Sequence, residues 1–564
     1  MIPICSALKN SVKKKYSLNI FKGDLVAAII VSLAALPLAM ALSIAMGLPP
    51  EHGIYTAIVA GIAIPLLGGA AFQISGPAAA FVVIIAPIVA QYGLRGLIIA
   101  EIMAGIFLIL LGISRVGVYI KYIPYPVIVG FTAGIAMVIG TSALNDLLGL
   151  SIKNISFNYI NKVENIISHS SNISWSETLV GVFTLLTICF SKKIISKIPP
   201  QLAGIIMGTL LACVMQTQGI EVATIGDRFA SDIRDSLGNV SLSFLIPSFH
   251  FPTFEEGSLF SIPSFLEIKV LLVPALVIAG LAALESLLSA VISDGMTNTK
   301  HDPNSELVAV GVGNILSGFV AGVPATAAIA RTATNIQSGA KTPFAGAMHA
   351  AFILLYILFL APVILYVPMA SLAAILLTIA YHMSHYQQFI RIMRIASRSD
   401  IMVLLICFSV TVFIDMVAGI TAAVILSCFL LVKKMAKITQ TSLSHMSDSN
   451  NHKIKHLKLP EDVMVYHING ALFFANASKV TDISDLIMDF IKVVIIDMES
   501  VSMIDISGIV AIENMIQDMH SKDIKVVLCG KEEITKKIWK NISKESKHQT
   551  KIFNNIKQAA DILE

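Results

Sequence analysis

Two ionisable side chains stand inside otherwise apolar sequence: Arg331, in AGVPATAAIARTATNIQ (Ala321–Gln337), and Glu285, in GLAALESLLSAVISD. Arginine keeps its proton and presents a planar fork that grips an oxyanion with two hydrogen bonds. Arg331 also follows a break made by Gly322 and Pro324. A membrane helix that stops and restarts leaves backbone N–H groups free, and its dipole favours an anion there. The stretch therefore reads as half of an anion site. The competing reading of Arg331 is a helix-end arginine reaching for the surface.

A carboxylate near the middle of an apolar span costs ~3 kcal/mol or more. Glu285 is expected either to face the site, titrating with transport or helping to hold a cation, or to be a structural partner of Arg331 or of backbone N–H groups. A Glu285–Arg331 pair could itself be the switch. A second interrupted segment is GGAAFQISGPAAAFVVIIAPIVA, Gly68–Ala90. The apolar run after Ser75-Gly76-Pro77 ends at Pro87, too soon for an unbroken crossing. Pro37 either kinks the first span or lines the site.

Other groups promise less. His349, His382 and His385 have no companions at ligand spacing and read as satisfied or interfacial histidines. Six cysteines are scattered singly without a CxxC pair and read as small hydrophobes. There is no metal-ligand cluster, no nucleophile–base arrangement and no GxxxxGK loop. Catalysis, direct ATP drive, a cofactor and a nucleic-acid partner are therefore not expected.

The elements that must position these groups are membrane helices. The chain has 564 residues, 55% hydrophobic and only 13% charged, with mean hydropathy +0.80. Many runs approach the ~20 apolar residues of a crossing helix. After a basic arm, 1–24, the first span begins at Leu25, and about fourteen spans follow to residue 434. Asn145–Glu177 reads as a polar loop and Gln218–Glu267 as an acidic one. Lysine and arginine collect after the even-numbered spans, which places both termini in the cytoplasm. Arg95, Lys153 and Lys162 are the exceptions.

The first half (about 25–217) and the second (about 268–434) each carry a Gly/Pro-broken segment third in order. Seven spans per half is odd, so the halves face opposite ways, the pattern that marks a transporter's central site. A linker, 435–454, leads to a region, 455–564, where short β-branched runs alternate with helical ones. This reads as a small cytoplasmic α/β domain. Within it, Asp505-Ile506-Ser507-Gly508 opens a helix; Ser507 is either a plain cap or a phosphate acceptor at a helix N-terminus.

QISGPAAAFVVI (Gln73–Ile84), ALESLLSAV with ISDGMT (Ala283–Thr297), GVPATAAIARTATN (Gly322–Asn335), GALFFANA (Gly470–Ala477) and the first-span proline together resemble the sulfate permease (SulP) family of anion transporters. The resemblance covers nearly the whole chain, with the tail similar to the family's STAS domain. It implies two inverted seven-span repeats split into core and gate domains, a homodimer, and elevator movement. It also implies an anion site between the first, third, eighth and tenth spans. Carried over, substrate binding falls to Ala78, Ala79 and Phe81 and to Ala328, Ala330 and Arg331, and coupling to Glu285.

Two departures matter. Many members have glutamine after the first-span proline, where this chain has Leu38. The sodium-coupled bicarbonate members have an aspartate in the eighth span and no tenth-span arginine. The expectation is thus a multi-pass transporter of sulfate or bicarbonate in the cytoplasmic membrane, by proton symport or anion exchange rather than with sodium. Sodium-coupled bicarbonate transport and dicarboxylate or chloride transport are the alternatives. A nucleobase symporter would want base-edge donors and lacks such a tail. A membrane-anchored signalling protein would act through the tail and its cytoplasmic partner.

Overall fold

The computed structural model describes residues 4–13, 16–118, 124–150, 152, 158–194, 199–229, 246–250, 259–438, 440–444, 459–478, 487, 490–541, 547 and 550–563. The chain divides into two compact units, Met1–Val424 and Ile425–Glu564.

Proline at first helical positions and small residues at helix contacts lay out the membrane unit. The first span is Leu18–Ala45, capped by the Ser17 hydroxyl and carrying buried Pro37 inside it. The second is Pro50–Leu67. The chain then turns through strand β1, Ser75–Pro77, and restarts as a helical turn, Ala79–Phe81, running on into Val82–Ile113. Gly93, at φ 66°, leaves helical conformation and divides that long helix into the third and fourth spans. The fifth, sixth and seventh are Tyr125–Leu147, Trp175–Ile194 and Pro200–Thr217.

The second half repeats the plan. Spans eight and nine are Phe265–Thr297 and Pro303–Phe319. Strand β2, Ala325–Ala327, precedes the short tenth helix, Ile329–Gln337. Phe344–Ile364, Met369–Met383, Arg398–Phe413 and Met416–Ile438 complete the set. Seven of the described helices are long and apolar enough to cross a membrane by length and composition alone. The remaining spans are shorter or interrupted; the tenth has only 9 helical residues.

β1 pairs with β2 antiparallel, Ser75 opposite Ala327 and Pro77 opposite Ala325. Equivalent pieces of the two halves therefore run in opposite directions, as two repeats of inverted orientation must. Packing splits the unit into two bundles. The first to fourth spans pack with the eighth to eleventh, and the fifth to seventh with the twelfth and thirteenth. The first span also touches the seventh and twelfth, so it lies on the seam.

The segment read as a polar loop after the fifth span contains a helix, Tyr159–Ser168, capped by Asn158. It packs on the fifth and thirteenth spans, with Tyr159 edge-on to Phe413 and Lys162 its one buried residue. Two basic exceptions find local explanations there and nearby. Lys162 is buried and donates to Ser142 Oγ at 2.8 Å; burial pushes its pKa down to about 8. Arg95 makes a two-point ion pair with Glu267, at 2.9 and 3.2 Å. Lys153 lies outside the described residues.

In the second unit the strand order is β3-β4-β5-β7-β8, with β6 also on β4. β3 is Gln440–Ser444, β4 Val463–Leu472, β5 Val493–Met498, β6 Val501–Ile504, β7 Lys525–Gly530 and β8 Thr550–Phe553. All pairings are parallel except β3 with β4. β3 falls where the sequence suggested only a linker. The short runs VMVYHI and ALFF, which the sequence suggests as separate strands, meet in β4, which ends at Leu472 and leaves Phe473 and Phe474 beyond it. Its pairing with β6 shifts register between Gly470 and Ala471. Helices Ile506–Ser521 and Glu532–Asn541 cover one face over a core that includes Tyr466, Ile496, Leu528 and Ile512. The helical run that the sequence suggests over Asn476–Phe490 lies mostly outside the described residues.

Candidate anion site

The β1–β2 crossing brings two helix restarts together inside the first bundle. Ala78 is the N-cap of the first restart and Ala328 of the second. Neither has a side-chain cap, so the leading backbone N–H groups have no side-chain acceptor. Both positive dipole ends thus point at one small region. Ala78, Ala79 and Phe81 are buried, Phe81 completely. Ala328 is half-buried and Ala330 exposed, so the second restart is the more open of the two.

Arg331 sits in the first turn of the tenth helix and is buried. Its Nη2 donates to the Pro77 carbonyl at 2.8 Å. Nε and Nη1 are buried without a hydrogen-bond partner. One arm of the fork therefore anchors the tenth helix to β1, and the other two donors stay available. Gly76 makes this possible: a Cβ there would stand 2.8 Å from Arg331 Nη1. The reading of Arg331 as a surface-seeking helix end does not fit this placement.

Glu285 lies on the eighth span, which packs against β2 and the tenth helix. It is half-buried, and Arg331 is the charge that acts on it. The two make no direct ion pair; the guanidinium turns to Pro77 instead. Leu38 is half-buried one residue beyond Pro37, on the first span, which also packs against β1 and the tenth helix. His349 is fully buried in the eleventh span, whereas His382 is exposed.

A frame of hydroxyls and amides holds the crossing, and sequence reasoning passed over it. Ser286 Oγ meets Thr326 Oγ1 at 2.6 Å and accepts from the Ala327 N–H at 3.2 Å. Gln73 Nε2 donates to the Ser286 carbonyl at 2.7 Å. Asn314 pairs with both backbone groups of Ala325, at 2.9 and 3.0 Å. Thr332 Oγ1 accepts from the Ile74 N–H at 3.3 Å. Strands three residues long lack partners on their outer edges, and these side chains supply them. The available signal was a lone amide in each apolar setting, Gln73 before one break and Asn314 before the other.

In the second unit Ser507 is half-buried at the second position of its helix. Asp505 takes the capping role, accepting from Gly508 N–H at 2.9 Å and from Phe474 N–H at 3.0 Å. Ser507 is thus not the cap.

Paired interrupted helices meeting at an antiparallel crossing, with a buried arginine between them, define an inverted-repeat membrane transporter with an electropositive centre. The chain belongs to the sulfate permease family, which it matches over residues 21–407, and residues 455–559 match the STAS domain. It is 34% identical to YvdB of Bacillus subtilis over 96% of each chain. It is 26% identical to the bicarbonate transporter BicA of Picosynechococcus over 90% of this chain and 88% of that one. The structure of murine Solute Carrier 26 family member A9, an anion transporter in its inward-facing state, superposes with TM-score 0.83 at 16% identity, covering 99% of this chain and 94% of that one. That likeness shows the fold. Members of this family are anion transporters embedded in the membrane by many passes, not enzymes.

Proposed function

We propose that this chain carries out secondary active transport of small inorganic oxyanions, sulfate or bicarbonate, across the cytoplasmic membrane. Proton symport or anion exchange supplies the coupling. The bundle of spans one to four and eight to eleven moves as an elevator against the rest, in a homodimer with both termini cytoplasmic. The observation that carries the reading is Arg331: one N–H is spent on Pro77 and two buried donors are left unpartnered where two restart helices converge. The restarts at Ala78–Phe81 and Ala328–Ala330 would hold the anion by backbone N–H groups. With Leu38 in place of a polar side chain, Arg331 is the main side-chain contact.

Glu285 would carry the coupling proton, close enough for its charge to interact with Arg331 without closing onto it. Neutral, it leaves the arginine's charge to the anion; ionised, it competes with the anion for that charge. Ser507, freed from capping, would accept a phosphate, and the STAS domain would bind a cytoplasmic partner.

Uptake of labelled sulfate and of bicarbonate into proteoliposomes, under imposed proton or sodium gradients, tests substrate and coupling together. Accumulation driven by protons, or by a counter-anion, is expected; accumulation that requires sodium overturns the coupling assignment. Glu285→Gln should retain anion exchange and lose gradient-driven accumulation. Uphill uptake by Glu285→Gln at the wild-type rate would remove Glu285 from the coupling.

A further inference from the structure

The fourth span carries an ionisable group that the anion site does not use. Glu101 is completely buried, and neither carboxyl oxygen has a hydrogen-bond partner. It lies where the fourth span meets the ninth, and the backbones there are nearly in contact. A Cβ on Gly105 would stand 2.6 Å from the Gly311 carbonyl oxygen, and one on Gly318 would stand 2.8 Å from Ile102. Such a contact has no room for a hydrated carboxylate or a counter-ion.

The polar group that acts on the carboxyl is the Ser317 hydroxyl, near enough to interact with it but not hydrogen-bonded to it in this conformation. Ser317 donates onward to the Val323 carbonyl at 3.1 Å, and its oxygen lies 3.1 Å from Thr56 Oγ1. Thr56 Oγ1 accepts from the Val323 N–H at 2.6 Å. Val323 leads directly into β2. One serine therefore separates Glu101 from the segment that carries Ala328 and Arg331.

The charged groups of the neighbouring elements are committed elsewhere: Glu306, on the ninth span, accepts from the Gly69 and Ala70 N–H groups. Arg331 turns to Pro77, and Arg95 pairs with Glu267. His52 Nδ1 meets the Ala321 carbonyl while its Nε2 lies beside Glu51. Glu285, on the eighth span, would only repel a second carboxylate. Among the described residues no cation pairs with Glu101. A carboxyl in that setting holds its proton.

We propose that Glu101 is a proton-binding site that latches the lead-in of β2 to the ninth span. With the proton in place, hydrogen bonding runs one way, from the Glu101 O–H to Ser317 Oγ and from the Ser317 O–H to the Val323 carbonyl. Ionised, the carboxylate accepts the Ser317 hydrogen instead. Val323 O then loses that donor and keeps only Thr56, whose hydroxyl also serves the His52 carbonyl. The protonation state of Glu101 is thus read at the segment that positions Arg331. The latch rests on the reading of the crossing as the anion site; the proton site does not.

Two measurements on the full chain separate these. Infrared spectra of the purified protein at neutral pH should show a protonated-carboxyl C=O band that Glu101→Gln removes. Identical carboxyl regions in the two proteins overturn the proton site. Exchange of labelled anion is then followed in liposomes at equal pH on both sides, in a Glu285→Gln background that silences the carboxyl next to the anion site. Exchange should be lost on the alkaline side, and adding Glu101→Gln should abolish that loss while keeping the neutral-pH rate. An unchanged alkaline loss in the double variant overturns the latch, as does a folded double variant that exchanges nothing at any pH, because glutamine preserves the neutral donor.

Discussion

Among the described residues two lysine or arginine side chains are buried in the membrane unit, and each makes one hydrogen bond. Arg331 donates to a backbone carbonyl at the β1–β2 crossing, and Lys162 donates to the Ser142 hydroxyl in a short helix between spans. Neither has a carboxylate in contact. The chemistry of the two side chains makes the difference. Withdrawing water lowers an ammonium's pKa, and Lys162 is pushed down to about 8, so that it gives up its proton in mildly alkaline solution. A guanidinium does not, so the charge at the crossing is permanent. A permanent buried charge with unpartnered donors calls for an anion; a labile one can be satisfied as a neutral amine. The same burial thus marks a ligand site in one region and a packing detail in the other.

Losing the permanent charge at the crossing should cost the most. Arg331→Ala removes a charged donor of hydrogen bonds, which are worth about 1.5–3 kcal/mol each. Anion affinity should fall by roughly one to two orders of magnitude. Arg331→Lys sharpens the point. It keeps the charge in water but offers one ammonium in place of the fork, and at this depth it behaves like Lys162. Transport by Arg331→Lys should survive only toward acid pH. Transport by both variants at wild-type rate and affinity for every anion would dismiss the arginine from the site; proteoliposome uptake across pH reads this directly.

A smaller effect comes from crowding the fork rather than removing it. Gly76→Ala places a Cβ 2.8 Å from Arg331 Nη1, tighter than a real contact allows. The guanidinium must shift, and with it the bond to Pro77. Roughly tenfold weaker uptake per folded molecule is expected, since misplacing a binding group by about 1 Å costs on that scale or more. The φ of 155° at Gly76 adds backbone strain that lowers the yield of folded protein as well. Gly280→Ala is the control, because nothing stands within 4 Å of a Cβ on that eighth-span glycine. Equal behaviour of the two alanine variants would mean that Gly76 is not protecting the arginine.

These residues also show what could be read from sequence. Both breaks, the arginine and the eighth-span carboxylate were visible because Gly, Pro and charge are rare in apolar runs, and rarity carries information. Opposite orientation of the halves followed from counting, and the β1–β2 register agrees with it. The frame around the crossing was not visible. Ser286, Asn314 and Thr332 are ordinary helix residues, and Thr326 an ordinary small polar one, until the chain crosses itself and gives them edges to satisfy. The helix Tyr159–Ser168 was hidden because its Asn-rich composition suits a loop, although Asn158 caps it as a helix start. Arg95 and Lys162 broke the charge rule because an ion pair and burial, neither of which sequence shows, meet their charges locally.

The smallest effect tests the other cation. Burial holds the Lys162 pKa down at about 8, against an ordinary value of 10.5 in the unfolded chain. Between those values the unfolded chain holds the proton and the folded one does not, so folding becomes more favourable as pH rises through that window. Below about pH 8 the folded protein carries the full penalty of a buried ammonium. Lys162→Met removes the titrating group while keeping most of the side-chain volume. Wild-type melting temperature in detergent should climb by a few degrees between pH 8 and 10 relative to Lys162→Met, with anion uptake the same in both. A flat difference across that range would show that Lys162 stays charged, and the contrast between a labile and a permanent buried cation would fail. Altered uptake in Lys162→Met would fail it from the other side, by giving the lysine a part in transport that its single bond to Ser142 does not suggest.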